Sequence, residues 1–584
     1  MPQDSGTADS PNFTSINGCK LMIKRLTLLK FAILTSIACT TITAFAQDSA
    51  LIQINYAKET AEMKPIWAWF GYDEPNYTYM KDGRKLLTEL AALSPVPVYV
   101  RAHNLLTTGD GTPALKWGST NVYTEDAQGK PIYNWTIVDS IFDTYVQRGM
   151  KPLAQIGFMP EALSSHPQPY KHDWQPGQPY GKIFTGWAYP PADYKKWGTL
   201  VHEWVKHCVN RYGKKEVESW YWELWNEPNG GYWKGNVKEY CKLYDYTSDA
   251  VKRALPTARI GGPHVTGPSG SGAAQFLKTF LNHCISDTNA VSGKIGAPLD
   301  FIAFHAKGAP KIVNGHVRMG ISNQLRDISS GFEIVASFAA WRHLPIVIGE
   351  SDPEGCAACG MATNPENAYR NGTMYSSYTA ASFARKYLLA DHYKVNLLGA
   401  VSWSFEFEDQ PWFYGFRDLA TNGVDKPVLN VFRMFGMMSG KRVAVTSDHM
   451  YPLFSIRDSG VRKQKADIGA IAAKDAHSAT AMIWNYHDDD TTGEAATVVL
   501  QFTGIPARQV TIKHYRIDAA HSNSYEVWKK MGSPQQPTAE QITQLEKAGQ
   551  LEQTGTANVT MVKGAYQMNL QLPRQGIVFI NIEY

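Results

Sequence analysis

The chain has 584 residues, which is too long for one compact core and indicates two domains, or one large barrel with an additional module. Its 57 basic and 53 acidic residues nearly balance, which argues against a nucleic-acid-binding or polybasic membrane-binding protein. Aromatic residues make up 12% of the chain. Such rings form the walls of sugar-binding clefts but also fill large cores, so they only lean toward a carbohydrate ligand.

The first 46 residues are predicted to hold an export signal, Met22 to Ala46. Basic residues precede an apolar run that is too short to span a membrane, and an Ala-x-Ala cleavage site follows at Ala44 to Ala46. Met22 is an alternative start, and Cys39 raises the alternative of a lipoprotein signal. Cleavage is preferred because Ser36 stands where a lipoprotein signal has a large apolar residue. A secreted or periplasmic protein without membrane attachment is therefore expected.

Residues 62–438 alternate short apolar runs with helical stretches, the pattern of βα units. Eight such units predict a (β/α)₈ TIM barrel. The predicted strands are Ile66–Phe70, Val96–Arg101, Lys151–Ile156, Trp220–Trp225, Ala258–Gly261, Phe301–His305, Ile346–Gly349 and Leu398–Trp403.

Residues 439–584 return to alternating strands and predict an accessory antiparallel β-sandwich. The strands expected there are Ala479–Trp484, Ala496–Phe502, Val510–Arg516 and Gly576–Ile582, with one helical stretch near Ala539–Glu552. An early alternating strand, Leu51–Tyr56, lies within residues 47–61 and is expected to join this module. The two ends of the mature chain would then meet beside the barrel.

Two acids are predicted at the ends of barrel strands. Glu227 follows an aromatic strand and precedes Pro228, so it is expected to be extended. Glu350 follows an apolar strand, and by order of units the two acids end the fourth and seventh strands, which face each other across the barrel mouth. The stretch that ends at Glu227 could alone be a core strand followed by an ordinary turn. Together the two acids match the two carboxylates of glycoside hydrolysis, in which one attacks the anomeric carbon and the other transfers protons.

Several further stretches are similar to one known family. They are Asn134-Trp135, Gly157 to Glu161, Tyr189 to Tyr194, Trp225 to Asn229, the strand end at His305, and Phe413 to Phe416. On these residues the chain resembles glycoside hydrolase family 39, whose members are retaining enzymes and include β-xylosidases and α-L-iduronidases. The resemblance covers most of the barrel and also implies the sandwich after it.

The resemblance implies roles for three residues. Glu227 would be the acid/base, and Glu350 would be the nucleophile. Asn226 would hydrogen-bond the sugar 2-hydroxyl, unless it only forms the turn. Glu227 must be protonated when the leaving group departs and ionised when it activates water. Esterification of Glu350 removes the like charge that raises the pKa of Glu227, so no metal or cofactor is required.

Basic side chains are also expected at the mouth. His305 would line the pocket beside Glu350, with a buried core histidine as the alternative. Arg101 resembles the arginine that keeps the nucleophile ionised, because a nearby cation lowers the pKa of a carboxyl group. Glu223 could instead take Arg101 as its buried partner. His103 would contact the substrate.

Two features bear on the sugar. Lys307, in a Lys-Gly-Ala stretch after His305, resembles the iduronidase branch, as does Ser351 after the nucleophile. Lys307 could bind a uronate carboxylate, helped by Arg370 or Arg417, or it could be solvated.

The stretch after the eighth predicted strand resembles the xylosidase branch instead. It adds Trp403, Glu406 and Glu408 as predicted substrate-binding residues. Glu406 or Glu408 would bind neutral hydroxyl groups and repel a carboxylate.

Five cysteines remain after signal cleavage, an odd number. Cys208 lies on the apolar face of a predicted helix and is expected to be buried. Cys356 and Cys359 are interpreted as a loop disulfide or a pair of free thiols, in preference to a metal site.

The sequence therefore predicts a retaining exo-β-xylosidase that takes an oligosaccharide substrate. The enzyme alternative is a related glycosidase acting on a uronic acid, arabinose or galactose unit. The non-enzyme alternative is a carbohydrate-binding protein on a hydrolase barrel, which would not need both acids. The sequence leaves the oligomeric state open, including a homo-oligomer.

Overall fold

The computed structural model describes residues 49–461 and 465–584. The predicted export signal lies outside these residues and stays a prediction. Within them, no helix combines the length and the apolar character that a membrane crossing needs. The described residues belong to one compact unit, so the predicted division of the chain at residues 62 and 438 also stays a prediction.

A parallel eight-stranded barrel holds the centre of the molecule, as expected. Its strands are Trp69–Tyr72, Tyr99–Ala102, Lys151–Ile156, Tyr221–Leu224, Arg259–Val265, Phe301–Phe304, Pro345–Ile348 and Asn396–Ala400. Each pairs with its neighbours in chain order. A parallel bridge between Phe70 and Ser402 joins the first strand to the residues after the eighth and closes the ring. The predicted barrel is confirmed, and every predicted barrel strand overlaps an observed one.

Each barrel strand is followed by a helix that packs outside it. These helices are Lys81–Ala91, Thr136–Val146, Tyr194–Tyr212, Val237–Ala254, Ser271–Ser286, Ile321–Ser337, Thr373–Tyr393 and Pro427–Gly436. The third shows how the sequence sets one. Asp193 caps it by accepting from two backbone N–H groups, and Trp197, Val201 and Trp204 recur at helical spacing and are buried against the barrel.

The accessory module is a nine-stranded sheet. Its strands are Ala50–Glu62, Lys441–Ser447, Asp467–Lys474, Ser478–Tyr486, Ala496–Thr503, Gln509–Ile517, Glu552–Thr560, Tyr566–Leu572 and Ile577–Glu583. Leu572 from one edge and Ile512 from near the other share one buried cluster, so the sheet folds over its own inner face like a sandwich. Its other face packs on the helix Thr373–Tyr393.

The first strand joins this sheet, as expected. It pairs antiparallel with Lys441–Ser447 and parallel with Ala496–Thr503. The sheet was predicted to be antiparallel, and this one parallel pair departs from that prediction. The smaller elements are the hairpins Tyr123–Glu125 with Pro131–Tyr133, Lys311–Val313 with His316–Arg318, and Ala420–Thr421 with Val424–Asp425, and the helices Lys214–Val217, Leu453–Ser459, Ser524–Lys530 and Ala539–Gly549.

Candidate active site

Glu227 and Glu350 meet at the carboxyl-terminal mouth of the barrel. An oxygen of each lies within 4.8 Å of one of the other, with His305 beside both. The Glu350 side chain is 4% exposed and that of Glu227 is 16% exposed, so the second acid is the more accessible from the cavity. The fourth and seventh strands thus bring the two predicted acids together.

The backbone at Glu227 differs from the prediction. Its φ is 41°, in the left-handed region rather than the extended one, and Trp225 two residues earlier has φ of 66°. The N–H of Glu227 donates to the carbonyl of His264 at 2.9 Å. This bond to the end of the fifth strand holds a conformation that the local preference of a residue before proline disfavours.

Both acids line a cavity of about 450 Å³. Its other lining residues are Asp73, Lys116, Trp174, Gly177, Gln178, Tyr180, Tyr232, Lys307, Gly355, Cys356, Cys359, Thr363, Asn364 and Trp403. The lining therefore combines aromatic rings with carboxylates and ammonium groups. This combination suits a hydroxyl-rich ligand with apolar ring faces.

Arg101 contacts two predicted site residues, Glu350 and Asn226, and the acid Glu223. Its Nη1 lies 3.3 Å from Glu350 Oε1, and its Nη2 donates to Asn226 Oδ1 at 3.0 Å. Its Nε donates to Glu223 Oε1 at 2.6 Å. The two pairings that the sequence left as alternatives therefore both occur. Asn226 is held by its oxygen, which leaves its amide nitrogen as the donor for a ligand.

Glu350 is surrounded by cationic and imidazole groups. Lys307 Nζ contacts its Oε2, Arg101 lies at 3.3 Å, and His103 Nε2 lies 3.6 Å from Oε1. Burial alone would raise the pKa of Glu350, but Lys307 and the other neighbours hold it well below its usual value. The carboxylate is thus kept ionised, as a nucleophile requires. Lys307 lies at the site and is not a solvated loop lysine.

Glu227 has fewer partners. Its Oε1 lies 2.9 Å from His305 Nδ1 and 3.6 Å from Lys307 Nζ. Burial and the charge of Glu350 raise the pKa of Glu227, whereas Lys307 and an N–H donated by His305 lower it below its usual value. The direction of the bond to His305 therefore bears on whether Glu227 is an acid or a carboxylate.

His103 is placed by Asp73. Its Nδ1 lies 2.9 Å from Asp73 Oδ1, and burial together with the charge of Arg101 lowers the pKa of His103 to about 3. Asp73 also accepts from Trp403 Nε1 at 3.1 Å and contacts Lys116. His103 is thus a neutral imidazole whose Nε2 lies 3.6 Å from Glu350 Oε1, and it is not among the described residues that line this cavity.

Two predicted substrate-binding acids do not reach the cavity. Glu406 is buried and accepts from the N–H of Gly423, and Glu408 accepts from the N–H of Asp82 at 2.9 Å. The eighth strand ends at Ala400, earlier than the predicted end at Trp403, and both acids follow it outside any barrel strand. Of the stretch, Trp403 lines the cavity, with the guanidinium of Arg101 4.7 Å from its ring centroid.

The two arginines suggested for a uronate also lie elsewhere. Arg370 is fully buried, donates to backbone carbonyls of the loop after the seventh strand and pairs with Glu354 at 2.6 Å. Arg417 is buried and donates to the carbonyl of Trp403 at 2.9 Å. Both arginines hold loops in place.

Cys356 and Cys359 form a disulfide on the rim of the cavity, which decides between the sequence-based alternatives. Cys208 is buried and free, as predicted, together with Cys241 and Cys284.

Several site residues were not predicted. Asp73 directly follows the first barrel strand, and His264 lies at the end of the fifth. A polar residue at a strand end was therefore the sequence signal that could have identified both. Lys116, Tyr180 and Tyr232 come from long loops, where the sequence pattern carries no such signal.

Two clusters in the site have metal-like geometry. They are Asp73 with His103 and Glu350, and Glu227 with His305 and Glu350. An ammonium group already faces the carboxylates of each cluster. Lys116 contacts Asp73, and Lys307 contacts Glu350.

The fold and the paired acids define a glycosidase barrel, and comparison with known proteins gives its family. The sequence profile of glycosyl hydrolases family 39 matches residues 50–565. The chain belongs to glycosyl hydrolase family 39, and the resemblance found in the sequence is confirmed.

Two relatives that match most of the chain carry different activity names. The chain is 28% identical over 502 residues to a β-xylosidase of Geobacillus stearothermophilus, covering 83% of this chain and 86% of that one. It is 24% identical over 541 residues to the α-L-iduronidase of Mus musculus, covering 86% and 76%. A monomeric β-xylosidase from Caulobacter crescentus CB15 superposes with a TM-score of 0.71 at 20% identity, covering 91% and 99%, and shows the shared fold.

Proposed function

We propose that the protein is a retaining exo-glycosidase that cleaves β-linked xylose units by double displacement. The observation that carries the mechanism is the approach of the two acids, whose oxygens come within 4.8 Å. Retaining enzymes place their carboxyl groups about 5–5.5 Å apart, whereas inverting enzymes need about 6.5–9.5 Å for a water between them.

In the first step Glu350 attacks the anomeric carbon, and the bond to the leaving oxygen breaks. Glu227 gives its proton to that oxygen as the bond breaks. Asn226 donates to the 2-hydroxyl, a contact that strengthens as the ring flattens. The cations around Glu350 keep it ionised until it attacks.

In the second step water attacks the glycosyl ester and gives its proton to Glu227. The ester has no charge, so the like charge that opposed ionisation of Glu227 is gone. Lys307, 3.6 Å from Glu227, then stabilises its carboxylate as a base. Release of the sugar returns Glu350 to its ion pair with Lys307.

The shape of the site supports action at a chain end. A cavity of about 450 Å³ lies in the lower half of the range typical for small-ligand pockets. It suits one sugar unit and part of the next, rather than a polysaccharide lying across an open groove.

A neutral sugar is favoured by the pairing of the cavity cations. Of the described lining residues, Lys116 and Lys307 are the cationic ones, and each already contacts a carboxylate, Asp73 or Glu350. A uronate would have to compete with these acids. The β-xylosidase relative from Geobacillus stearothermophilus supports the same choice.

A uronide is the second candidate, and Lys307 favours it. Its ammonium group lies at the cavity wall between both acids, where a substrate carboxylate could also reach it. The two acidic residues that argued against a uronate, Glu406 and Glu408, lie outside the cavity lining. The similarity to the α-L-iduronidase of Mus musculus agrees with this alternative.

A panel of aryl glycosides tests the proposal. It would contain the β-xyloside, α-L-iduronide, β-glucuronide, α-L-arabinoside and β-galactoside. Preference for the β-xyloside is expected. Activity on a uronide alone would replace the neutral sugar by a uronate and keep the mechanism.

Variants of the two acids test the mechanism with the preferred substrate. Glu350→Ala should abolish turnover, and azide should then give a product of inverted configuration. Glu227→Ala should keep activity on a dinitrophenyl glycoside, and azide should give a product of retained configuration. Glu366→Ala is the matched control and should keep wild-type rates, because Glu366 lies in the short helix Pro365–Asn371 and is not among the described residues that line the cavity. Wild-type rates in Glu350→Ala would refute the assignment.

A further inference from the structure

A line of contacts leads from Glu227 into the barrel core. Glu227 Oε1 lies 2.9 Å from His305 Nδ1, and His305 Nε2 lies 3.3 Å from His264 Nδ1. His264 Nε2 contacts Glu223 Oε2, and neither atom has another hydrogen-bond partner in the described part of the chain. Glu223 Oε1 accepts from Arg101 Nε at 2.6 Å. All of these side chains except that of Glu227 are fully buried.

Close packing at the seventh strand makes this line of contacts possible. A Cβ atom on Gly349 would collide with Nδ1 of His264 and come 3.1 Å from Nε2 of His305. Glycine at this position therefore lets the two imidazoles approach each other directly beneath Glu350.

The contacts along this line determine how many protons it holds. Three contacts join the two carboxyl groups and two imidazoles. We assign one proton to each contact, because two lone pairs that face each other in a buried site repel. Burial lowers the pKa of His264 to about 3 and lowers that of His305 too, so both imidazoles are neutral and supply one N–H each. The third proton must belong to a carboxyl group at one end, Glu227 or Glu223.

Arg101 decides between the two ends. Burial would raise the pKa of Glu223, but Arg101 and His264 hold it below its usual value, so Glu223 is ionised. An ionised carboxylate only accepts, so His264 donates from Nε2 and accepts at Nδ1. His305 then donates from Nε2, and its Nδ1 is left as an acceptor. Glu227 must then supply the proton for the last contact, against the charge of Lys307. The N–H of His305, which would lower the pKa of Glu227 if it were donated to that carboxylate, is directed to His264 instead.

We propose that Glu223 and His264 are positioning residues that fix the tautomer of His305 and thereby hold Glu227 in its protonated form for the first step. The inference rests on the acid/base role proposed for Glu227. In the first step the Glu227 proton moves to the leaving oxygen. In the second step a proton from the attacking water returns to Glu227 while the water oxygen bonds to the anomeric carbon. The ester bond from that carbon to Glu350 breaks, and Glu350 leaves as a carboxylate, so the line of contacts is restored after each turnover.

Other charged and titratable groups also face these residues. Around Glu227 they are Lys307, Glu350, Lys116, His103, Tyr180 and Tyr232. Around His264 they are Glu223, Arg101 and His305. A test must therefore separate the direction of the hydrogen bonds from the charge of Glu223.

Glu223→Gln should reverse the direction of every hydrogen bond along this line of contacts. Its amide oxygen would face the donor Arg101 and its amide nitrogen would donate to His264, so His305 Nδ1 would donate to an ionised Glu227. The alkaline limb of kcat/KM should move to lower pH. At pH 7 the rate with a phenyl glycoside should fall roughly ten- to hundredfold more than with a dinitrophenyl glycoside, whose leaving group needs little protonation.

His264→Asn interrupts the line of contacts but keeps the charge of Glu223. Asparagine tolerates the left-handed backbone at this position, where φ is 54°, so the variant is suited to fold. The alkaline limb should move in the same direction as in Glu223→Gln, by a smaller amount. A shift in Glu223→Gln with none in His264→Asn would mean that only the charge acts, and would overturn the proposal. Equal losses with both leaving groups and an unmoved limb would also overturn it.

Imidazole ¹⁵N resonances of protein labelled at histidine report which ring nitrogen carries the proton, so they test the proposed tautomers without any substrate. In the wild type, His305 should carry its proton on Nε2, and in Glu223→Gln it should carry it on Nδ1. Protonated Nδ1 in wild-type His305 would overturn the proposal whatever the activity. A different outcome would separate the two proposals. If the tautomers are as expected but Glu227→Ala still hydrolyses substrates with poor leaving groups, the acid/base role is refuted while the assignment of the tautomers is kept.

Discussion

The ammonium group of Lys307 contacts Oε2 of Glu350, so the cation that a uronate would need is also the counter-ion of the attacking carboxylate. The Lys307 side chain is 22% exposed at the cavity, whereas that of Glu350 is 4% exposed. Binding of any substrate must therefore either leave this pair intact or replace one partner of it. The pair links specificity to the ionisation state of the nucleophile.

Replacing Lys307 should change the pH dependence of activity. Lys307 lowers the pKa of Glu350, and Glu350 must be ionised to attack. In Lys307→Met that pKa rises, so the acid limb of kcat/KM should move to higher pH by roughly 1 to 3 units. Lys311→Met, in the exposed hairpin after the same strand, is the control and should keep the wild-type profile. An unmoved acid limb in Lys307→Met would contradict this role.

Removing the Asn226 amide should slow the chemical steps more than it weakens binding. Its amide nitrogen is the donor left for the 2-hydroxyl, because Arg101 holds its oxygen. We expect Asn226→Ala to lower kcat about a hundredfold, as for other donors whose bond strengthens in the transition state. A 2-deoxy aryl glycoside supplies the control, since wild type and variant should then differ little. The same large loss with the 2-deoxy substrate would show that the variant acts through Arg101 instead.

Glu74 should make the protein less stable as the pH rises. Burial raises its pKa to about 8, from 4.5. Because the folded-state pKa is the higher one, the folded protein binds the extra proton between these values. The contribution is fully present below about pH 4.5 and is lost as the pH rises through 8. Glu74→Gln should remove a slope of up to about 1.4 kcal/mol per pH unit in the free energy of unfolding.

Denaturant unfolding of wild type and Glu74→Gln at pH 5, 6, 7 and 8 measures this slope. Glu333→Gln, an exposed helix position, is the control and should parallel the wild type. Parallel curves for Glu74→Gln as well would show that Glu74 is ionised in the folded protein.

The ion pair between Arg385 and Asp467 should contribute strongly to the stability of the contact between the barrel helix Thr373–Tyr393 and the accessory sheet. Both side chains are fully buried, at 2.7 Å, and Asp467 also accepts from Trp484 Nε1 at 2.9 Å. Asp467→Ala leaves the guanidinium without its buried counter-ion, which costs about 3–5 kcal/mol in comparable cases. Thermal and denaturant unfolding would measure the loss.

The exposed pair of Asp249 with Arg253 supplies the comparison for that measurement. Asp249→Ala should change the free energy of unfolding by less than about 0.5 kcal/mol. Equal effects of the two substitutions would mean that Asp467 is dispensable for packing.

Local sequence was enough for the barrel and for the two acids. Alternating apolar runs mark each strand, and Glu227 and Glu350 follow theirs directly, so their positions are set within a few residues of chain. Arg101 and His305 were predictable for the same reason, because each lies at a strand end.

The remaining features depend on contacts between distant segments. Lys116 reaches Asp73 from a loop, and the left-handed backbone of Glu227 depends on the carbonyl of His264. Glu406 was predicted from a resemblance in the stretch after the eighth strand, but it accepts from the N–H of Gly423 and lies outside the cavity lining. The strand that was expected to continue to Trp403 ends at Ala400. No short-range pattern reports where a strand stops pairing.

The strand Ala50–Glu62 lies between partners that are distant along the chain, with Leu51 bonded to Asp448 across 397 positions. During synthesis this strand leaves the ribosome before the whole barrel, and its partners follow only after it. Until then both of its edges are open to pairing with other chains. Protection of the earliest strand thus waits for the last quarter of the polypeptide. A chain interrupted after the barrel is expected to aggregate rather than to persist as a smaller enzyme.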